Sequence, residues 1–263
     1  MARRRLDAEL VRRGLAASRA EAQEAVRRGL VVIGGAVAVK SATLVGEDQP
    51  LGFARAPRRF VSRGGGKLQA ALDGFGINVA GAHGLDAGAS TGGFTDCLLQ
   101  AGAHHVVAVD VGYGQFDWGL RGDPRVTLLE RTNVRDLRDD MLPYRPSLIV
   151  ADLSFISLKV VLPTLRAIAA PDATFVTLVK PQFEADQAEV GPGGVIRDPA
   201  VWRRVLEDAI AASSAAGIRA TGLMASPLPG PAGNIEFLLQ AGGATADAIP
   251  DVNGAIAQAE AIA

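Results

Sequence analysis

The sequence contains few of the residues that build disulfides and metal sites. It has one cysteine, Cys97, and three histidines among 263 residues. A disulfide framework is therefore excluded, and a reducing compartment fits this composition. His104 and His105 are adjacent and would point to opposite sides of a strand, and His83 stands alone. We therefore expect no metal bound by protein side chains.

Long apolar runs are also absent. No segment approaches the roughly 18 apolar residues that a membrane-spanning helix needs. The N-terminal stretch MARRRLDAEL has the basic start of a signal peptide but no apolar region behind it. With 48% hydrophobic and 21% charged residues, the composition is that of a globular protein. These features predict a cytoplasmic protein that does not bind a membrane.

The charges are distributed unevenly along the chain. Residues 1–67 contain fourteen Lys and Arg against six Asp and Glu, whereas the remaining residues contain thirteen against twenty-two. A basic segment joined to an acidic body indicates that the first binds a polyanion such as nucleic acid, through counterion release. The alternative is an arginine-rich helical surface that only meets solvent.

Residues 1–59 have the pattern of a small α+β domain. Leu6, Leu10 and Leu15 fall on one face of a first helix, and Ser18 is an N-cap candidate for a second helix over 19–28. Two β-prone runs, LVVI and AVAV, flank a Gly-Gly pair that predicts a hairpin turn. The final stretch, ARAPRR, combines proline with charge and is predicted to be a linker.

Residues 60–263 show alternating strand and helix patterns. Short apolar runs alternate with longer helical patterns and lie at residues 84–87, 106–109, 126–129, 148–151 and 175–179. Such alternation predicts an α/β domain built on a parallel sheet with helices on both faces. Two later strand-like runs, 219–224 and 235–240, are separated by SPLPGPAGN, so the last strand could return antiparallel.

The stretch GLDAGASTGGFTDCLLQAGA predicts a strand, a glycine-rich turn and a helix. Such a turn lets a ligand approach the backbone at a helix N-terminus. Asp110 ends the next predicted strand, 24 residues after Asp86, and its carboxylate could bond both hydroxyls of a ribose. The turn lacks the Gly-Lys-Ser/Thr of a P-loop and the second glycine of a dinucleotide motif. The pattern D-x-G-x-S-x-G-G-F instead resembles the S-adenosylmethionine sites of Rossmann-like methyltransferases.

Four charged residues lie next to apolar sequence, where simple folding does not explain them. Lys67 follows the glycines of SRGGGKL, which we interpret as a tight turn that brings the chain near the site. Asp152 and Lys180 each end an apolar run, and Glu236 lies within NIEFLL. Because the carboxyl ends of parallel strands border the same crevice, Asp152 and Lys180 should face one site.

These four residues match, in order and context, the Lys-Asp-Lys-Glu tetrad of ribose 2′-O-methyltransferases related to FtsJ. The basic segment RLDAELVRRGLAASRAEAQEAVRRGLVVI resembles an S4 RNA-binding domain. Together with RFVSRGGGKL, ADLSFIS, LVKPQFE and GPGGVIRDP, this arrangement is similar to the TlyA (hemolysin A) family from residue 3 to about residue 241. One departure is Phe60, where relatives often have tryptophan, so the role of this segment in coupling the domains stays open.

The resemblance implies a Rossmann-like S-adenosylmethionine-dependent methyltransferase domain over residues 60–263, behind a small α+β S4 domain over residues 1–59. It implies methyl transfer to a ribose 2′-hydroxyl of ribosomal RNA in the small subunit, the large subunit or both, with no obligate protein partner. One alternative is an RNA-binding ribosome-assembly protein with little catalysis. Another is a membrane-active hemolysin, although the basic helices are short with modest apolar faces. The target nucleotide, the oligomeric state and the role of the alanine-rich C-terminal tail stay open.

The resemblance also implies roles for individual residues. Lys180 would act on the hydroxyl as general base or as electrostatic orienter, while Asp152 and Glu236 would orient Lys180 and Lys67. The implied cofactor-binding residues are Asp86, Gly88, Ser90, Thr91, Gly92, Gly93, Phe94, Asp110 and Asn133. The implied RNA-binding residues, which would contact phosphates without reading sequence, are Arg4, Arg5, Arg12, Arg19, Arg27, Lys40 and Arg59.

Overall fold

The computed structural model of the chain describes residues 3–53, 59–243 and 248–262. It divides into two compact units, Met1–Arg59 and Phe60–Ala263. Most of the predicted linker, residues 54–58, lies outside the described residues. Within those residues, no helix has the length and apolar character needed to cross a membrane.

The first unit is a small α+β fold. Its elements are β1 (Arg4–Arg5), α1 (Leu6–Arg12), α2 (Arg19–Arg27), β2 (Val31–Ile33), β3 (Ala36–Val37), β4 (Leu44–Val45) and β5 (Leu51–Phe53). The Ser18 hydroxyl accepts a hydrogen bond from the Glu21 N–H at 3.2 Å, so the predicted N-cap is confirmed. Gly34 and Gly35 both have positive φ and join β2 to β3 as the predicted hairpin. The apolar faces of α1 and α2 pack against β2 to form the core of this unit.

The second unit contains the predicted sheet. Its strands are β6 (His83–Ala87), β7 (His105–Val109), β8 (Val126–Leu129), β9 (Leu148–Ala151), β10 (Thr174–Val179), β11 (Ala220–Ala225) and β12 (Phe237–Gly242). Among the described residues they form one seven-stranded sheet in the order β11-β12-β10-β9-β6-β7-β8. Strands β6 to β10 run parallel, and β12 pairs antiparallel with both β10 and β11. The predicted parallel sheet with an antiparallel return is therefore confirmed.

Helices cover both faces of this sheet. They are α3 (Gly64–Phe75), α4 (Gly93–Gln100), α5 (Trp118–Arg121), α6 (Leu158–Ile168), α7 (Pro181–Glu184), α8 (Pro199–Ala215) and α9 (Val252–Ile262). Short 3-10 turns occur at Val134–Asp136, Asp139–Met141, Gln187–Glu189 and Pro192–Gly194. Alternate residues of a strand enter opposite cores: Val107 packs with α6 and α8, whereas Val106 packs with α3 and α4.

The glycine triplet of SRGGGKL is helical, so its interpretation as a tight turn is wrong. Gly64, Gly65 and Gly66 form the first turn of α3 with ordinary negative φ. A Cβ on Gly65 would lie 2.5 Å from Phe60 Cβ and 2.8 Å from the Gly93 carbonyl oxygen. The first turns of α3 and α4 therefore approach so closely that no side chain fits between them. Glycine is needed at position 65 for this contact. Lys67 follows the triplet directly, within the same helix.

Candidate active site

Asp152 and Lys180 form an ion pair at the carboxyl edge of the sheet. Asp152 directly follows β9 and Lys180 directly follows β10, and these two strands are parallel neighbours. Lys180 Nζ lies 2.6 Å from Asp152 Oδ1 and donates a second hydrogen bond to Ser154 Oγ at 2.9 Å. The sheet topology thus brings together two residues that are 28 positions apart in the sequence.

Lys67 and Glu236 form a second ion pair, which is more deeply buried. Lys67 projects from α3, and Glu236 immediately precedes β12. Lys67 Nζ lies 2.5 Å from Glu236 Oε2, and the two side chains are 8% and 1% exposed. A charge this deeply buried is costly without a partner, and the close contact supplies that partner to both side chains.

Both ion pairs line one cleft of about 580 Å³. Its walls also include Ser154, Gly88 and two loops that carry Gly194 and Pro229. The four charged residues singled out from the sequence therefore meet in one place, although they come from four separate segments. Two ammonium groups and two carboxylates facing a cleft can bind a polar substrate and stabilise charge that develops on its oxygen.

Phe155 is a residue of this cleft that the sequence did not indicate. Its side chain is 90% exposed, and its φ of +63° lies in a region that bulky residues rarely adopt. The ring lies 4.9 Å from the ring of Phe183, which also lines the cleft. An exposed aromatic held in strained backbone can stack on a flat ligand. The phenylalanine of ADLSFIS is visible in the sequence, but its exposure is not, because apolar residues are expected to be buried.

Glu184 holds the loop that carries Asp152, Ser154 and Phe155. Its Oε2 accepts a hydrogen bond from the Ser157 hydroxyl at 2.6 Å, and its Oε1 accepts one from the Leu158 N–H at 2.8 Å. Burial raises the pKa of Glu184 above its ordinary value. Because Glu184 lies in α7, directly after Lys180, it connects the two segments that supply the Asp152–Lys180 pair.

Asn234 fixes the opposite wall of the cleft beside Glu236. The side chain is 2% exposed. Its Nδ2 donates to the Gly194 carbonyl oxygen at 2.8 Å, and its Oδ1 accepts from the Ile196 N–H at 2.9 Å. The loop GPGGVI is thereby attached to the loop that precedes β12. The sequence showed both loops only as motifs. The buried Asn234 amide shows that they are hydrogen-bonded to each other.

The glycine-rich turn between β6 and α4 has the shape expected of a ligand cradle. Gly88 has a φ of +85°, and a Cβ there would lie 2.5 Å from the Asp152 carbonyl oxygen. Gly92 has a φ of +94° and caps α4. Both glycines are thus required by backbone conformation or by close approach. Gly88 and Ser90 border the first cleft and also a second cleft of about 650 Å³.

The second cleft contains the two residues implied for a nucleoside. Asp110 follows β7, and Asn133 precedes the 3-10 turn at Val134–Asp136, where its Oδ1 accepts from the Arg135 N–H at 3.0 Å. Asp110 Oδ2 accepts from the Ser90 N–H at 2.7 Å, and its Oδ1 accepts from the Gly112 N–H at 2.6 Å. These bonds fix the Asp110 carboxylate in the wall of the second cleft.

Asp86 lies beneath the turn and is fully buried. Its Oδ2 accepts two hydrogen bonds from Thr95, at 2.8 Å and 2.7 Å, whereas its Oδ1 has no hydrogen-bond partner among the described residues. Burial raises the pKa of Asp86 to about 7.

The structure divides the implied cofactor set between the two clefts. Thr91, Gly93 and Phe94 line the first cleft, and Asp86 and Gly92 line neither. The bare Gly88 backbone and the fixed Asp110 carboxylate fit a polar, nucleoside-containing group at this place.

The implied RNA-binding residues belong to the first unit, and all seven are exposed. Arg5 and Arg19 pair with Asp7, Arg4 and Arg12 pair with Glu9, and Arg27 pairs with the exposed Glu24. The sequence indicated the arginines, but it did not indicate that Asp7 and Glu9 are buried beneath them.

The histidines lie together on the second unit. His105 Nδ1 is 2.8 Å from the Tyr144 hydroxyl, and the His83 ring lies 4.5 Å from the Tyr144 ring and 5.0 Å from the His104 ring. In the part of the chain that the structure describes, no group of three or more His, Cys, Asp or Glu has the geometry of a metal site. Cys97 is buried within the α3–α4 core.

Comparisons with protein families give two matches. Residues 60–242 match the model of the FtsJ-like methyltransferase family, and residues 4–50 match the S4 domain model. Together these two matches cover most of both units.

Individual relatives extend the likeness over nearly the whole chain. The protein "16S/23S rRNA (cytidine-2'-O)-methyltransferase TlyA" of Mycobacterium tuberculosis is 54% identical over 241 residues, which is 91% of this chain and 90% of the relative. "Hemolysin A" of Brachyspira hyodysenteriae is 39% identical over 89% of this chain and 98% of its own length. The solved structure of a "putative hemolysin" from Streptococcus thermophilus is 38% identical with a TM-score of 0.75, covering 100% of this chain and 97% of that one.

Proposed function

This chain belongs to the TlyA (hemolysin A) family, which joins an S4 domain to an FtsJ-like methyltransferase domain, and from that premise we propose that it methylates ribosomal RNA. The methyl donor is S-adenosylmethionine, and the acceptor is a ribose 2′-hydroxyl. The observation that carries this proposal is the cleft in which the Lys67–Glu236 and Lys180–Asp152 pairs meet beside the glycine-rich turn.

Lys180 is the residue that we assign to the reacting hydroxyl. An ammonium group has three N–H donors, and the Lys180 ammonium uses two of them on Asp152 and Ser154. The third is left for the substrate oxygen, which would form a bond to the methyl carbon as the bond from that carbon to sulfur breaks and the hydroxyl proton passes to solvent water. The fixed pairing with Asp152 supports an electrostatic role for Lys180. A neutral Lys180 would instead accept the proton from the hydroxyl.

Lys67 and Glu236 complete the polar wall of the cleft. The Lys67 charge is compensated by Glu236 at 2.5 Å, so the pair adds a polar group to the wall without an uncompensated buried charge. The first turns of α3 and α4 hold Lys67 rigidly, because Gly65 packs against Gly93. We infer that this pair orients the ribose relative to Lys180.

S-adenosylmethionine, when bound, supplies an electrophilic methyl group on a sulfonium sulfur. We assign the turn from Gly88 to Phe94 to its methionine part, Asp110 to its ribose and Asn133 to its adenine. The small side chains of this turn and the fixed Asp110 carboxylate support these assignments. Asp86 supports the turn from below through its two hydrogen bonds to Thr95.

Phe155 suits a substrate that presents an unstacked base. The exposed ring at the rim of the cleft, backed by Phe183, offers the flat apolar surface on which single-stranded bases stack. The S4 unit would hold the surrounding RNA through its exposed arginines, which contact phosphates. The relative from Mycobacterium tuberculosis is named for cytidines of 16S and 23S rRNA, so cytidine is the nucleotide that we propose first.

The proposal is tested by incubating the purified chain with labelled S-adenosylmethionine and intact small subunits, intact large subunits or deproteinised ribosomal RNA. We expect label in at least one of these substrates, at a ribose whose 3′ bond then resists alkaline hydrolysis. Label on a base would contradict the 2′-O assignment. No label on any substrate, from a preparation that binds S-adenosylmethionine, would contradict ribosomal RNA methylation.

A further inference from the structure

We propose that Asp7 and Glu9 are positioning residues that hold the arginines of the S4 unit in a fixed array for RNA phosphates. The inference rests on the proposed function in one respect, that the ligand of this unit is RNA. Neither carboxylate would contact RNA itself, since their side chains are 0% and 1% exposed. Their effect would pass through the guanidinium groups that they bind.

Asp7, which lies in α1, gathers side chains from α2 and from β1. Its carboxylate accepts hydrogen bonds from Arg5 Nε at 3.2 Å and from a terminal nitrogen of Arg5 at 2.8 Å. Gln23 donates to it at 2.9 Å, and Arg19 approaches at 3.4 Å. Arg5 and Arg19 are fourteen positions apart in the sequence, yet this one carboxylate contacts both.

Glu9, two residues after Asp7 in α1, organises a second group. Arg12 contacts it through Nε at 2.8 Å and a terminal nitrogen at 2.7 Å, and Arg4 lies 3.7 Å away. Arg13 Nε also donates to Glu9, but its terminal nitrogens bond the carbonyl oxygens of Gly46, Glu47 and Gln49. Arg13 therefore ties a loop to α1, whereas Arg12 and Arg4 stay 43% and 49% exposed.

The geometry leaves donors on the outer edge of the Arg5 guanidinium, whereas a terminal nitrogen of Arg12 also lies 3.6 Å from the exposed Glu47 carboxylate. A guanidinium has five N–H donors, and the pairing seen for Arg5 and Arg12 uses Nε and one terminal nitrogen. The remaining donors point away from the carboxylate and can bind a phosphate in the bidentate manner that arginine favours. A guanidinium that is already held loses less conformational freedom when RNA binds, which favours affinity.

Stability alone is a weak explanation for these buried carboxylates. Two acidic groups buried in a small unit lose solvation, and buried ion pairs are often no more stabilising than apolar packing. Hydrogen bonds from Arg5 hold the pKa of Asp7 below its ordinary value, and those from Arg12 and Arg13 do the same for the pKa of Glu9. Both groups therefore stay ionised at neutral pH, which lowers the net positive charge of a unit that binds a polyanion.

Net charge and arginine positioning therefore predict opposite changes in RNA affinity when either carboxylate is removed. The full chain is compared with Asp7→Asn, Glu9→Gln and the matched control Glu24→Gln, which removes the same charge from the exposed pair with Arg27. The probe is a fluorescein-labelled synthetic RNA hairpin titrated at several salt concentrations. If only the net charge of the unit mattered, all three variants would bind the RNA more tightly, because each loses one negative charge. We expect the first two to bind roughly three- to tenfold more weakly, with a salt slope smaller by about one, while the control binds as tightly or more tightly.

Folding is checked by amide hydrogen exchange of α1 and α2 in each variant. Should Asp7→Asn or Glu9→Gln lose protection, Arg12→Lys combined with Arg19→Lys decides the question, because it retains both carboxylates and every charge. Lysine cannot bind a carboxylate and a phosphate through one planar fork. Weaker binding by this double variant supports positioning, and binding equal to that of the wild type overturns it.

Methyl transfer separates this inference from the proposed function. In the full chain, the carboxylate variants should raise KM for ribosomal RNA while leaving kcat and S-adenosylmethionine binding unchanged. A wild type that binds the hairpin but transfers no methyl group contradicts the proposed function only. Variants that bind the hairpin as tightly as the wild type contradict the positioning role only, whether or not methyl transfer is seen.

Discussion

Lys67 and Glu236 are 169 positions apart in the chain, yet Lys67 Nζ lies 2.5 Å from Glu236 Oε2 in a buried ion pair. This contact joins the first helix of the catalytic unit to the last strand of its sheet. The Lys180–Asp152 pair faces the same cleft from two neighbouring strand ends. The centre of the site is thus built from two ammonium–carboxylate pairs held by separate parts of the fold.

Glu236→Leu should destabilise the protein, because it leaves the Lys67 ammonium buried without a partner. We expect the free energy of unfolding in urea to fall by about 3–5 kcal/mol. The double variant Lys67→Met, Glu236→Leu removes both charges and should recover most of this loss without recovering methyl transfer. A double variant that transfers methyl groups at the wild-type rate would show that the pair only stabilises the fold.

Gly65→Ala should disturb the contact between α3 and α4. Its Cβ would meet Phe60 and the Gly93 carbonyl oxygen, so we expect a loss of about 1–3 kcal/mol in the free energy of unfolding and a lower kcat, since Lys67 moves. Gly64→Ala is the matched control. A Cβ there makes only ordinary contacts of 3.4 Å or more, and alanine favours a helix by about 1 kcal/mol. Equal stability of the two variants would contradict the close-packing explanation.

Phe155→Ala should lower methyl transfer while leaving the fold intact. The ring is 90% exposed, so its removal loses little buried area, and we expect unchanged or slightly higher thermal stability. Loss of base stacking by about 1–3 kcal/mol should reduce kcat/KM for ribosomal RNA roughly five- to hundredfold. Isothermal titration with S-adenosylmethionine serves as the control and should be unaffected. Wild-type kcat/KM in this variant would remove Phe155 from substrate binding.

Asp86 should make stability decrease as pH rises. Burial raises its pKa to about 7 in the folded state, so between its unfolded value near 4 and about pH 7 the folded state binds more protons than the unfolded state. The contribution of this group is therefore lost with rising pH, at up to about 1.4 kcal/mol per pH unit. Unfolding free energies of wild type and Asp86→Asn are measured at pH 5, 6, 7 and 8, values chosen to span roughly that window. We expect the wild type to lose stability relative to the variant across this range, and a constant difference would refute the shift.

The fold and the composition of the cleft followed from sequence patterns. Apolar runs at regular spacing indicate parallel strands, and the carboxyl ends of parallel strands border one crevice, which places Asp152 beside Lys180. The pairing of Lys67 with Glu236 did not follow, because it depends on how α3 packs against β12. Lys67 and Glu236 carry opposite charges, but the sequence alone does not show which carboxylate lies beside Lys67 in the folded chain.

Three other features depend on tertiary contacts that a local pattern does not contain. The glycine triplet has the composition of a turn, and only the approach of α4 explains why it is helical. Phe155 is an apolar residue of the kind usually found in a core, and only its loop conformation exposes it. Asp7 is an acidic residue in a basic segment, and only the fold shows that it is buried beneath Arg5 and Arg19.

The most direct measurement maps 2′-O-methyl groups in ribosomal RNA from cells that lack this protein and are supplied with either the wild type or Lys180→Ala. We expect the wild type to restore specific 2′-O-methyl positions, and Lys180→Ala to restore none although the purified variant binds S-adenosylmethionine within a few-fold of the wild type. Identical methylation with and without the wild-type protein would contradict the proposed function. Full restoration by Lys180→Ala would contradict the place of Lys180 at the centre of the reaction.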